Sequence, residues 1–146
     1  MYQVTVYTDG ACSNNGDEHA VGAWCAILQY QGHEKEIHGI ESGTTNNRME
    51  LRAVIEAVKS LKSPSEVVVI TDSQYVCVGA ANMRAWIKSG KQHANMDMWR
   101  ELIDVGNNGK HRITFQHVKG HAGHPENERC DTIARSAILV KKLSGK

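Results

Sequence analysis

A chain of 146 residues with 40% hydrophobic and 23% charged content and a formal net charge of +1 fits one globular domain with a core of its own, residues 1–146, and argues against a second. Its longest apolar stretches, such as "VVVI" and "AVGAWCAIL", fall well short of the roughly 18 residues of a membrane helix, and no basic-then-apolar leader opens it, so a cytoplasmic, membrane-free protein is expected. Cys12, Cys25, Cys77 and Cys130 form no CxxC pair, which counts against disulfides and zinc modules and points to reduced thiols. The small net charge gives no warrant for a nucleic-acid partner, but its distribution is uneven: residues 1–73 carry five Lys or Arg against ten Asp or Glu, residues 74–146 twelve against six. One half can supply acids to metal ions and the other can meet phosphates; an ordinary mixed surface is the simpler alternative.

In chain order, "YQVTVYT" alternates apolar and polar residues and runs into Asp9-Gly10, a turn signal, so a first strand is predicted to end there. "AVGAWCAILQY" and "EKEIHGIES" flank a "QG" turn and read as two more strands joined as a hairpin. A helix is predicted over residues 46–62. "VVVITD" follows as a buried β-branched strand, then several short helical segments across 73–106, a fifth strand in "HRITFQHV", and a last helix over 125–142 with Pro125 in its first turn. Helices between strands force parallel crossovers, so the pattern predicts an α/β fold: a five-stranded mixed sheet, three antiparallel strands then two parallel, flanked by helices. Ligands of such sheets gather at the carboxyl ends of strands, where Asp9 and Asp72 fall.

In the first helix Val54, Ala57, Val58 and Leu61 form an apolar stripe, with Arg48, Arg52, Glu56 and Lys59 opposite. Projected at about 100° per residue, Glu50 falls on the apolar side, where a carboxylate is costly without a partner. Each acid also has an ordinary reading: Glu50 as a first-turn acid facing solvent, Asp9 as a turn former, Asp72 as a helix N-cap, and Asp131 as the i,i+4 partner of Arg135. None of these explains acids at two strand ends and on an inward helical face. Carboxylates converging without cations call for a hard ion such as Mg²⁺, and two such ions suit phosphodiester hydrolysis.

"KGHAGHPENERCD", residues 119–131, reads as a zinc site, a catalytic loop or a polar turn. Cys130 falls on the apolar stripe of the last helix with Ile133, Ala134 and Ala137, which weakens zinc. His124 is read as starting the helix and His117 as structural.

Together "YTDGACSNN", "TTNNRMEL", "TDSQYV" and "VKGHAGHPENERCD" resemble the bacterial-type, type 1 ribonuclease H family over nearly the whole chain. The resemblance implies a ribonuclease H-like fold and cleavage of the RNA strand of an RNA·DNA hybrid, leaving 5′-phosphate and 3′-hydroxyl ends. It implies two Mg²⁺ ions per active site with substrate bound, Mn²⁺ being a substitute. By the same resemblance, Asp9, Glu50, Asp72 and Asp131 are the metal-binding acids, with Asp9 bridging the ions, and His121 is a catalytic loop histidine assisting proton transfer or product departure. Substrate contacts fall on Cys12, Asn15, Asn47 and Gln74, which face the ribose 2′-hydroxyl side, and on Thr45 and Asn46, which hold the DNA strand; helix capping suits "TTNN" equally well. A monomer is expected. One departure stands out: where relatives carry a long basic helix and loop, "MRAWIKSGKQHANMDMW" is short, with Arg84, Lys88 and Lys91 its only Lys or Arg residues, so hybrid binding is expected to be salt-sensitive. Trp86 there suits either sugar packing or the core. The competing readings are a catalytically silent hybrid-binding module and a DNA-cutting nuclease of the same broad fold.

Overall fold

The computed structural model describes residues 1–120 and 124–144. The elements run β1 (Tyr2–Ser13), β2 (Val21–Tyr30), β3 (His33–Ser42), α1 (Asn46–Lys59), β4 (Ser65–Thr71), α2 (Gln74–Ser89), α3 (Met96–Asn108), β5 (Arg112–His117) and α4 (Pro125–Ser144). The strands form one sheet in the order β3-β2-β1-β4-β5. β1 pairs antiparallel with β2, and β2 with β3, whereas β4 lies parallel to both β1 and β5. This is the five-stranded mixed sheet that the sequence predicts.

The alternation of β1 sorts its side chains between two layers. Val4 and Val6 join Val67 and Val69 of β4 in a core completed by α1, α2 and α3, while Tyr7 faces the other way with Cys25, Ile27, Ile70 and Cys130 of α4. Three helices therefore cover one face and α4 the other, over β1 to β3. The hairpin from β2 to β3 turns at Gln31 and Gly32, whose φ angles of 47° and 78° match a turn that follows the strand twist.

Three predicted boundaries are corrected. β1 does not end at Asp9-Gly10: it continues to Ser13, held by β2 down to the pair Ser13↔Val21. Gly10 is required there by a close approach rather than by a turn, because a Cβ on it would collide with the backbone of Met49 and Glu50 in α1. The region 73–106 holds two full helices, not several short segments. Gly90, left-handed at φ 73°, ends α2, and Asn95, left-handed at φ 65°, precedes α3. α1 stops at Lys59, short of the predicted end at 62, because Ser60 caps it.

α2 and α3 lock through Trp99, which is fully buried. Its indole lies against Gly79, donates from Nε1 to the Tyr75 hydroxyl at 3.3 Å and meets Trp86 edge-on at 6.1 Å between centroids. Trp86 also stacks on His93 at 4.2 Å and packs against the core. A methyl group at position 79 has no space. Gly79→Ala is expected to destabilise the protein by about 1–3 kcal/mol through overpacking, lowering Tm by several degrees; an unchanged thermal melt would show that the two helices separate without cost.

Candidate active site

The site begins where two strands part. Parallel pairing of β1 with β4 runs from Tyr2↔Ser65 to Tyr7↔Ile70 and stops. β1 goes on with β2 alone, and β4 ends at Thr71. Asp9 and Asp72 follow on the two sides of this opening. α1 crosses above Gly10, whose missing side chain lets the helix come close enough to bring Glu50 into the same space. One carboxylate oxygen from each of Asp9, Glu50 and Asp72 lies within 4.8 Å of the others.

The ordinary readings of these acids fail on particulars. Asp72 is not the cap of α2: Ser73 is, its side chain accepting from the Val76 N–H at 3.1 Å. Glu50 lies beyond the first turn of α1 and is only 7% exposed. Asp9 is 6% exposed within a continuous strand, its Oδ1 accepting from the Gly10 N–H at 2.9 Å. Glu50 Oε1 is buried with no hydrogen-bond partner among the described residues.

Burial first, then the charges of Asp72 and Asp131, push the Asp9 carboxyl up to about 7. Burial, followed by Asp9 and Asp72, likewise raises Glu50 well above the usual carboxylate range. The nearest arginines of α1 give no relief. Arg48 is bidentate to Asp97 at 3.1 and 2.8 Å, and Arg52 serves Glu41, Glu56 and Glu101.

The other predicted residues frame this trio. Asp131 stands outside the closest group, half-buried, with Arg135 Nε donating to it at 3.0 Å, so its i,i+4 alternative is realised as well. Thr45 caps α1, its Oγ1 accepting from the Arg48 N–H at 3.2 Å. Asn15 Oδ1 accepts from the Asn46 N–H at 2.5 Å, and the Cys12 thiol donates to the Thr44 carbonyl at 3.5 Å. Cys12, Asn15, Thr45, Asn46 and Asn47 therefore share one turn-lined edge, with Asn46 and Asn47 exposed, and Gln74 is exposed at the start of α2, two residues past Asp72. His121 lies outside the described residues. Cys130 is fully buried, its thiol directed to the Tyr7 carbonyl at 3.6 Å, which removes it from any zinc site. His117 Nε2 lies 3.2 Å from the Asp72 carbonyl oxygen, a structural contact. Asn127, which the sequence motifs did not single out, is buried beneath the opening; the signal for it was a polar residue on the same helical face as Cys130 and Ala134.

Three crowded carboxylates, one with an orphaned oxygen, fit a hard divalent cation, whose charge answers their repulsion and whose ligands are oxygens. A mixed α/β sheet with such a cluster at its parted strands offers a divalent cation a site at the carboxyl ends of two strands. The ribonuclease H family model matches residues 1–139. The chain is 46% identical over 142 residues to the ribonuclease H of Pelobacter propionicus, covering 92% of this chain and 84% of that protein. It is 46% identical over 144 residues to the ribonuclease H of Zymomonas mobilis, covering 94% and 89%. Among solved structures, LC9-RNase H1, a type 1 RNase H with the type 2 active-site motif, superposes with a TM-score of 0.82 at 31% identity, over 95% of this chain and 73% of that one. The PFV RNase H domain gives 0.77 at 25% identity, over 95% and 96%. The chain belongs to the ribonuclease H family and is an enzyme.

The raised carboxyls have a consequence for stability. A folded value near 7 for Asp9 against an unfolded value of about 3.9 means that the folded state holds the proton more tightly. That contribution is present at low pH and is lost as pH rises through about 7. In EDTA, Asp9→Asn is therefore expected to melt above the parent at pH 8, with the advantage shrinking as pH falls toward 4. An advantage independent of pH, or a variant less stable at pH 8, would show that Asp9 carries no such repulsion.

Proposed function

We propose that residues 1–146 form one ribonuclease H domain that hydrolyses the RNA strand of RNA·DNA hybrids, leaving 5′-phosphate and 3′-hydroxyl ends. Asp9, Glu50, Asp72 and Asp131 would hold two Mg²⁺ ions, with Mn²⁺ as a substitute. The observation that carries this reading is the trio of acids within 4.8 Å of one another at the end of the β1 and β4 ladder; membership of the ribonuclease H family supports the choice of substrate. We further propose a monomer acting in the cytoplasm; among the described residues no helix is long and apolar enough to cross a membrane.

When bound, the cations supply Lewis-acid stabilisation of a phosphoryl displacement and ease deprotonation of the attacking water. The protein does the positioning. Asp9 and Asp72 would hold the cations together with Glu50, whose Oε1 has no hydrogen-bond partner among the described residues. The exposed amides of Asn47 and Gln74 and the Cys12 and Asn15 edge suit the ribose 2′-hydroxyl side of the hybrid. Thr45, at the start of α1, and Asn46 suit a phosphate or base edge of the DNA strand through neutral donors that position it. His121 assists proton transfer or product departure. The exposed Lys88 and Lys91 beyond the α2 core reach a few backbone phosphates.

The deciding assay incubates end-labelled RNA·DNA, RNA·RNA, DNA·DNA and single-stranded RNA with Mg²⁺ or EDTA. Cutting of only the RNA in the hybrid, and only with Mg²⁺, is expected; binding without cutting would leave a silent module, and cut DNA a different nuclease. Asp9→Asn is expected to lower kcat by about 10²–10³-fold or more while hybrid binding persists. His121→Ala is expected to slow turnover without abolishing it. Neutralising Lys88 and Lys91 together is expected to flatten the slope of log affinity against log salt by about 0.9 for each phosphate the two lysines neutralise; an unchanged slope would place the hybrid elsewhere.

A further inference from the structure

The "PENERCD" run places Cys130 in the core and Asp131 at the site edge, but Asn127 serves neither role. Its side chain is 4% exposed, a rare location for an amide without a specific partner. The partners are informative. Asn127 Nδ2 donates to the Thr8 carbonyl at 3.4 Å and to the Ile70 carbonyl at 3.2 Å. Thr8 and Ile70 lie on β1 and β4 at the point where the ladder between them ends at Tyr7↔Ile70. Thr8 immediately precedes Asp9, and Ile70 stands two residues before Asp72.

We propose that Asn127 is a positioning residue for the reaction: its carboxamide clasps β1 and β4 where they part and so fixes the separation of the Asp9 and Asp72 carboxylates. The inference rests on reading those acids as cation ligands. One planar NH₂ group donates to carbonyls of two different strands, so the two carbonyls cannot move apart without breaking a buried bond. Repulsion between Asp9 and Asp72 acts to splay the same strands, and the clasp sits one residue behind one acid and two behind the other. Asn127 also belongs to α4, four residues ahead of Asp131, so a single side chain ties three ligand-bearing elements together. Chemistry restricts the choice of residue. Serine has one hydroxyl proton and reaches one carbonyl, aspartate sets its oxygens against carbonyl oxygens, and alanine leaves both acceptors buried and unmet. Asn127 Oδ1 is itself buried without a partner among the described residues, so the amide is retained despite an unmet acceptor, as expected if its donors set geometry.

The test separates positioning from plain stability. Asn127→Ala, Asn127→Ser and the core variant Leu102→Ala, whose side chain is buried away from the acids, are compared by thermal melts in EDTA. Mg²⁺ affinity is then measured by calorimetry, and kcat and KM on an RNA·DNA hybrid. Asn127→Ala is expected to weaken Mg²⁺ binding and lower kcat by about 10–100-fold, with KM nearly unchanged because the hybrid-facing edge is intact. Asn127→Ser is expected to fall between it and the parent. Leu102→Ala is expected to lose stability while keeping Mg²⁺ affinity and kcat. Asn127→Ala that melts lower yet keeps Mg²⁺ affinity and kcat within about twofold of the parent overturns the proposal, as does Leu102→Ala weakening Mg²⁺ equally. Should Asn127→Ala fail to fold, Asn127→Ser decides on the same measurements, parent-like Mg²⁺ affinity and kcat overturning the proposal. A parent that neither binds Mg²⁺ nor cuts the hybrid is a different result, one that overturns the functional reading and with it the role of Asn127.

Discussion

Like charges held close in a buried place are the constraint to which the rest of this structure answers. Asp9, Glu50 and Asp72 bring their carboxylates within 4.8 Å of one another, and among the described residues no cationic side chain neutralises them. The arginines of α1 are placed to look after other acids: Arg48 binds Asp97 across to α3, and Arg52 gathers Glu41, Glu56 and Glu101 on the outer face. α1 thus separates two electrostatic duties by its own periodicity. Its outer side is a satisfied ion-pair network, and its inner end delivers an unsatisfied carboxylate. Repulsion of this kind favours a compensating cation and a raised proton affinity.

The apolar core holds the acids in place against that repulsion. Met49, Leu51, Ala53, Val54, Ile55, Ala57 and Val58 of α1 are buried to about 1% exposure or less, and each large side chain among them contributes on the order of 1.5–3 kcal/mol by leaving water. The helix has little freedom to retreat from the sheet. Where it comes nearest, the sheet offers glycines: Gly10 beneath Glu50 and Gly22 beneath Thr44 and Met49. Small residues on the strand side and close-packed ones on the helix side together fix the approach, and the acid rides on it.

What could be read from the sequence follows from where each signal is local. The strand alternation of Val4 and Val6, the "QG" hairpin and the stripe of Val54, Ala57 and Val58 are properties of neighbours in the chain, and the sheet and the inward face of Glu50 followed from them. The end of β1 did not. Asp9-Gly10 carries the composition of a turn, whereas Gly10 answers to Met49 and Glu50, some forty positions away, and no local pattern reports that contact. The division of 73–106 into α2 and α3 depends likewise on Gly79 receiving Trp99 and on left-handed Gly90 and Asn95. Asn127 was legible only as a polar residue on the apolar face of α4 with Cys130 and Ala134; its role was not, because only the parted strands below it give its amide two acceptors.

The acids also differ in how tightly the fold holds them. Asp9 and Glu50 are buried and have no cationic partner among the described residues, so the backbone sets their position almost alone. Asp131 is tied to Arg135, whose side chain is 71% exposed, and an exposed pair of this kind is worth at most about 1 kcal/mol. A charge arriving near the opening competes with Arg135 at small cost, whereas it finds Asp9 and Glu50 already waiting. The candidate site therefore consists of a fixed inner group, clamped by α1 and by the end of the β1 and β4 ladder, and an outer carboxylate on α4 that can exchange one partner for another.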